Sequence, residues 1–205
     1  MAISLLALGV AAPGHATAAV FADNFNSNAS HLDTTPTGWN LVKGTVDIIG
    51  NGFFDWYPGN GAYLDLDGSQ GPVGQNSRIE TTATYALKAG MYKFDLDYGI
   101  NHNDGSDSDV ITFGIVGLPA VNLFDANAAD HSATSFKHTF TFVLLDELPF
   151  ARFFIEGNSN GSSDQSGGIV DNFQVSAVPL PGAALFLVSG LLGIGGLGSL
   201  RRSKA

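Results

Sequence analysis

The sequence predicts an all-β protein built on a single jelly-roll β-sandwich, and three observations carry that prediction. Apolar side chains recur with a period near two through residues 19–177. Gly, Asn, Asp and Ser interrupt them every ten residues or so, at the spacing of turns between short strands. No stretch of about ten residues has the 3.6-residue periodicity of an amphipathic helix.

Taken in order, the chain opens with a segment that stands outside the sandwich. Residues 1–18 hold an apolar run from Ile3 to Val10, a Pro13-Gly14 breaker and an Ala16-Thr17-Ala18 small-residue site. That order is the pattern of a secretory signal peptide cleaved after Ala18, although no Lys or Arg precedes the run. The first strand follows at residues 21–25, with Phe21, Asp23 and Phe25 on one face. Residues 26–37 are a polar loop ending in Gly38-Trp39, and residues 44–50 form a second strand. Residues 51–61 make a loop rich in aromatics: Phe53, Phe54, Trp56 and Tyr57. The third strand, residues 62–67, sets Tyr63, Asp65 and Asp67 on one face and Leu64 and Leu66 on the other.

Residues 68–76 form a turn-rich loop and residues 78–87 a Thr-rich strand. Residues 91–99 alternate cleanly, with Tyr92, Phe94, Leu96 and Tyr98 against Lys93, Asp95 and Asp97. One buried and one wet face is the mark of an antiparallel sheet. Further strands are expected at residues 110–116, 121–124, 136–144, 150–156 and 169–177. In the last of these, Ile169, Asp171, Phe173 and Val175 share the apolar parity.

Residues 178–205 have three parts. Val178-Pro179-Leu180-Pro181 is a turn that cannot continue a strand, because proline fixes φ and lacks an N–H. Residues 182–200 are uncharged and about long enough to span a bilayer core, though glycines weaken them as a helix. Arg201, Arg202 and Lys204 form a basic stop expected on the cytoplasmic side. The same parts in the same order resemble the sorting tails of the PEP-CTERM class, in the variant whose motif reads VPLPA. Gly182 stands where that variant usually has Ala, and no Glu separates the prolines. The resemblance implies an exosortase-type processing enzyme as a partner and contact with the membrane through the tail. A plain single-span anchor is the alternative. With the signal peptide, either reading expects an exported protein at the cell surface, in the outer envelope or secreted.

The body between the two ends, about 160 residues, suits one domain. Removing Arg201, Arg202 and Lys204 lowers the formal charge from −10 to −13, so nucleic acid is an unsuitable partner. The absence of cysteine excludes disulfides, thiolate-held zinc and thiol catalysis. A hard cation held by oxygen is the remaining staple.

Several pieces of the body, in their order, resemble the choice-of-anchor domains of bacterial surface proteins. They are Asp23-Asn24-Phe25, Gly38-Trp39, the strand at residues 44–50, Tyr63-Leu64-Asp65-Leu66-Asp67-Gly68-Ser69, Leu87 with Gly90 and Tyr92, and Val170-Asp171-Asn172-Phe173-Gln174-Val175. The resemblance implies a galactose-binding-like jelly roll and, loosely, association with carbohydrate or matrix.

Four groups of residues are candidates for chemistry. Asp23 and Asp171 sit on apolar parities of the first and last strands, which run side by side in jelly rolls of the carbohydrate-binding kind. They are expected to share a structural Ca²⁺, with Asn24 and Asn26 as weaker ligands; the plainer reading is that each sits at a strand end, caps backbone N–H groups and faces water, with Asp171-Asn172 also able to cap a bulge. Asp65 and Asp67, with Tyr63 and near Asp95 and Asp97, could bind sugar hydroxyls, or act as a hydrolytic pair. Trp39, Phe54, Trp56 and Tyr57 could stack on sugar rings; the alternative is that Phe53 and Trp56 plug one end of the sandwich. The acidic loop at residues 101–109 departs from the EF-hand order and reads as solvated. Neither a metal-spaced histidine pair nor a G-x-S-x-G elbow occurs where a strand meets a helix. The function expected is a non-enzymatic sandwich associated with extracellular polysaccharide. The rivals are an architectural matrix protein with no sugar ligand and a glycan hydrolase acting through Asp65 and Asp67.

Overall fold

The structure, a computed structural model, describes residues 19–69, 76–99, 110–124, 136–158 and 167–179. The signal peptide, the loop at residues 101–109 and the tail from Leu180 onward, with Pro181, Arg201 and Arg202, lie outside the described residues. The described residues form thirteen strands and no helix. They are β1 (Ala19–Asp23), β2 (Trp39–Lys43), β3 (Asp47–Gly50), β4 (Ala62–Asp65), β5 (Ser77–Thr81), β6 (Tyr85–Leu87), β7 (Gly90–Gly99), β8 (Val110–Ile115), β9 (Val121–Phe124), β10 (Phe136–Leu144), β11 (Leu148–Ala151), β12 (Phe153–Asn158) and β13 (Ile169–Ala177).

The predicted all-β jelly-roll sandwich is the fold observed. One sheet has the order β10-β7-β13-β4-β3, with β1 also on β13; the facing sheet has the order β2-β5-β12-β8-β9; β6 and β11 make a separate ribbon. The main core lies between the two large sheets. Phe173 is its hub, with ring centroids 5.8 Å from Phe94, 6.0 Å from Trp39 and 6.1 Å from Phe113. Such pairs contribute about 0.5–1.5 kcal/mol each beyond their buried area.

Three differences from the expected strands have physical reasons. β2 begins at Trp39, where the sequence predicts a loop's end, and runs through residues 40–43, for which the sequence predicts no element. Only Trp39 of its residues is buried and Leu41 and Val42 face water, so this edge strand has no alternation to read. The Thr-rich strand divides because Thr82 leaves the ladder, its N–H donating to Gly38 O, and the chain passes from β5 in one sheet to β6 in the ribbon. Likewise Arg152 gives its carbonyl to Val116 N–H and separates β11 from β12.

The position of the candidate site follows from β13. It pairs with β7 along one edge, and with β4 and then β1 along the other. A bulge interrupts the β7 ladder: Asp171 pairs with Asp97 and Gln174 with Asp95, so two residues of β13 stand opposite Leu96 alone. Asn172 takes φ 50° there. The bulge inverts the strand's parity. Before it Val170 enters the core; after it Phe173 and Val175 do. The expected apolar parity of Ile169, Asp171, Phe173 and Val175 is therefore corrected: Ile169 packs in a second small cluster, and Asp171 leaves the core side.

Candidate functional site

The outer face of the six-stranded sheet is built from the non-core parity of β7, β10 and β13. Register sets Lys137 opposite Asp97, Thr139 opposite Asp95, and Gln174 opposite Asp95 from the other side. Two clefts open on this face. One, of about 470 Å³, is lined by Ala22, Asp23, Asn24, Ser27, Asn172, Phe173 and Gln174. The other, of about 280 Å³, is lined by residues that include Asp95, Asp97, Lys137, Thr139, Asn172 and Gln174. Asn172 and Gln174 belong to both, so the clefts join in one polar trough.

The bulge residue ties the trough together. Asn172 Nδ2 donates to Asp97 Oδ2 at 2.9 Å and to Asp171 Oδ2 at 3.2 Å, and its backbone N–H donates to Asp171 Oδ1 at 2.6 Å. Lys137 Nζ donates to Asp97 Oδ1 at 3.0 Å, and Thr139 Oγ1 to Asp95 Oδ1 at 2.7 Å. Burial pushes the Asp171 carboxyl up to about 7, and repulsion from Asp97 and Asp23 adds to it against the Asn172 N–H. Burial would also raise Asp95, but Lys93, Thr139 and the charge of Lys137 outweigh it and hold that carboxyl below its ordinary value.

The sequence-predicted residues divide. β1 and β13 are neighbours, as expected for Asp23 and Asp171. Asp23, however, spends its oxygens on Phe25 N–H at 2.8 Å and Trp39 Nε1–H at 2.7 Å. Among the described residues no group of three or more His, Asp or Glu stands together as a metal cage. The bond from Phe25 N–H is the backbone capping of the plainer reading of Asp23. Trp39→Phe removes the indole donor and should cost about 1–3 kcal/mol, measured by urea denaturation.

Trp39 is corrected from a stacking residue to a core one: it is 4% exposed and packs on Phe21, Phe25 and Phe173. Tyr57 is corrected likewise. It is buried beside Tyr63 and packs so closely over Gly99 that a Cβ there would meet its hydroxyl. Asp65 and Asp67 are also buried, which corrects their placement on an accessible face. The reason is that β4 is covered on both sides. Leu64 and Leu66 face the main core, while Tyr63 packs with Ile49, Tyr57 and Ile169 under the aromatic loop. Asp65 Oδ1 accepts from the backbone N–H of Asp67 at 3.0 Å and of Gly167 at 2.9 Å, so it fastens chain segments. It does not neighbour Asp95 or Asp97, because β13 lies between β4 and β7.

Phe54 is different. It is 49% exposed, adopts φ 45° and meets Phe53 edge-on at 4.9 Å. A left-handed conformation is costly for a bulky residue and marks positions held for a purpose. The loop is held by the hydroxyl of Tyr63, which donates to Asp55 Oδ1 at 3.2 Å and accepts from Tyr57 N–H at 3.1 Å. Trp56 is half-buried against the small cluster. Asn26 joins this loop to the trough's rim, its Oδ1 accepting from Ala62 N–H at 2.7 Å next to Ser27. Sequence reasoning missed Asn172, Gln174, Thr139 and Lys137 as trough residues. The wet parity of Lys93, Asp95 and Asp97 was the available signal.

No family model matches the chain, and no curated protein matches it. Solved structures do match its fold. A cyclase from Fischerella sp. TAU superposes with a TM-score of 0.56 at 15% identity, covering 81% of this chain and 100% of the cyclase. An arabinose-bound α-L-arabinofuranosidase, MgGH51, gives 0.51 at 12% identity over 75% of this chain and 25% of that one. The CBM22-1 xylan-binding domain of Paenibacillus barcinonensis Xyn10C gives 0.48 at 14% identity over 82% and 100%. The first two likenesses establish the sandwich; the same fold hosts many activities.

Proposed function

We propose that this protein is an exported, surface-sorted, non-enzymatic sandwich that binds extracellular polysaccharide along the outer face of its six-stranded sheet. The observation that carries the reading is the trough. Carboxylates, amides and hydroxyls alternate along it, and each sugar hydroxyl is both a donor and an acceptor. Phe54, half exposed in the aromatic loop, supplies an apolar face of the kind on which a pyranose ring's C–H surface rests. That carbohydrate-binding modules occur among the structures of similar fold agrees with this reading. The hydrolase rival loses its proposed pair, since Asp65 and Asp67 are enclosed. Export and sorting rest on the sequence of the two ends.

The test is a glycan array and a polysaccharide pull-down with the purified chain. Phe54→Ala and Asn172→Ala are each expected to weaken binding about tenfold, the equivalent of about 1.4 kcal/mol. Trp39→Phe should leave affinity unchanged in the protein that remains folded. Failure to bind any glycan, the extracellular polymer of the source cells included, would replace this reading with the architectural one.

A further inference from the structure

Both ends of the sandwich leave from one pole. Ala19 pairs with Ser176, Val178 N–H donates to Met91 O at 2.8 Å, and Met91 pairs with Val143 near the end of β10. The backbone of Val178 thus lies two strand spacings, about 10 Å, from that of Val143.

This same pole turns large apolar side chains to water. Leu145 is 85% exposed, Phe150 78%, Val143 59% and Leu118 38%. Leu118, Val143 and Phe150 share one surface, and Leu145 directly follows the last residue of β10. Leu118 lines a cleft of about 240 Å³ together with Val143 and another of about 310 Å³ together with Phe150. Single exposed hydrophobics need no account, but a contiguous patch does. At its rim Lys88 and Glu147 pair at 2.8 Å, and Asp146 adds one exposed carboxylate beside Leu145.

The length of chain beyond the pole names the occupant. Only Val178-Pro179-Leu180-Pro181 separates β13 from the uncharged run at residues 182–200, and four residues reach no further than about 14 Å. We infer that this pole is a lipid-facing surface: with residues 182–200 in a bilayer, Leu118, Leu145 and Phe150 rest in the boundary between headgroups and acyl chains. The inference stands on the tail's insertion and is independent of sugar binding. The tether confines the patch to the membrane's surface, where protruding apolar side chains gain by leaving water. The aromatic loop then faces outward. Tyr57 sits on Gly99, eight residues along β7 from Met91, or about 27 Å from the pole.

The chain has no cysteine, so single-cysteine probes are clean. Phe150→Cys, Leu145→Cys, Phe54→Cys and, in the tail, Leu192→Cys are labelled with an environment-sensitive fluorophore. Each full chain is then reconstituted in phosphatidylcholine–phosphatidylglycerol vesicles. The first two sites are exposed, so the fold should tolerate the substitutions. The expected result is blue-shifted emission at residues 145 and 150 that headgroup nitroxides quench. Leu192→Cys should be quenched by acyl-chain nitroxides, and Phe54→Cys should stay at its aqueous emission. Quenching at residue 192 without quenching at 145 and 150 would overturn the inference, as would an unquenched residue 192. A blue shift in detergent that accompanies Phe150→Cys crosslinking between chains would assign the patch to a second copy instead. A shift in detergent without crosslinking would assign it to the protein's own tail. Glycan binding by Phe150→Cys should be unchanged in every case.

Discussion

Asp171→Asn is expected to melt higher than the parent protein at pH 8 and together with it at pH 4. Asp171 is 6% exposed, faces Asp97 across the β7 ladder and has its carboxyl raised to about 7. The unfolded chain releases this proton near pH 4, whereas the fold keeps it until about pH 7. Below pH 4 both states hold the proton and Asp171 costs nothing. Between pH 4 and 7 the unfolded state gains by ionising, and the fold loses up to about 4 kcal/mol in all. Above pH 7 the loss is complete and constant. Asn keeps an acceptor for the Asn172 N–H and removes the charge. The gain at pH 8 is therefore several degrees, at about 2–4 °C per kcal/mol for a domain of this size. Asp47 is raised by burial as well, so the variant should keep part of the parent's pH dependence. A shared Ca²⁺ at Asp23 and Asp171 predicts the reverse: the variant would melt lower at pH 8, and EDTA would lower the parent but not the variant.

Gly50→Ala is expected to destabilise the protein by about 3 kcal/mol or more, read from urea unfolding, and to abolish glycan binding. Gly50 ends β3 at φ 103°, and a Cβ there would overlap Gly61 O and stand 2.8 Å from the ring of Tyr63. Backbone strain of this kind costs about 1–3 kcal/mol by itself. The carbonyl cannot retreat freely either, since the adjacent Ala62 pairs with Gly50 and is bonded to Asn26. The Gly50–Phe53 bridge that shapes the aromatic loop would be displaced, and Phe54 with it. Gly52 is the control. It too has positive φ, at 83°, but nothing lies within 4 Å of its Cβ, so Gly52→Ala should cost only the backbone share. Equal losses in the two variants would show that the close approach of Gly61 is wrong.

The parts of this molecule that could be read from the sequence are those where one side chain decides one face. β7 alternates without interruption, and its core-facing and wet residues are the ones expected. Period two fails where the chain breaks its own register. No glycine marks the bulge at Asn172; Asp171-Asn172 offers one only as an alternative reading, and period two alone puts Asp171 and Phe173 on the same face, where the fold sets them opposite. It fails again where a loop covers a sheet: Asp65 and Asp67 alternate with leucines as a solvated row would, yet the fold over them encloses both. Trp39 was legible as important and misread in role, because an aromatic before an exposed edge strand looks the same whether it meets a ligand or the core. The trough draws side chains from β7, β10, β13 and the loop after β1, and only the sheet order brings them together.

The sheet order also sets how the domain bears load. The chain beyond Val178 continues from β13, which has bonded neighbours on both edges, and not from a strand at the sheet's margin. Tension applied there runs along the strand and strains its lateral bonds together, in shear. Tension at Ala19 instead begins with β1, bonded on one edge to β13 alone. A pull that separates Ala19 from Val178 opens their ladder from its end, one bond after another. The domain should thus resist force strongly when held by its C-terminal strand and yield at low force when held by both ends.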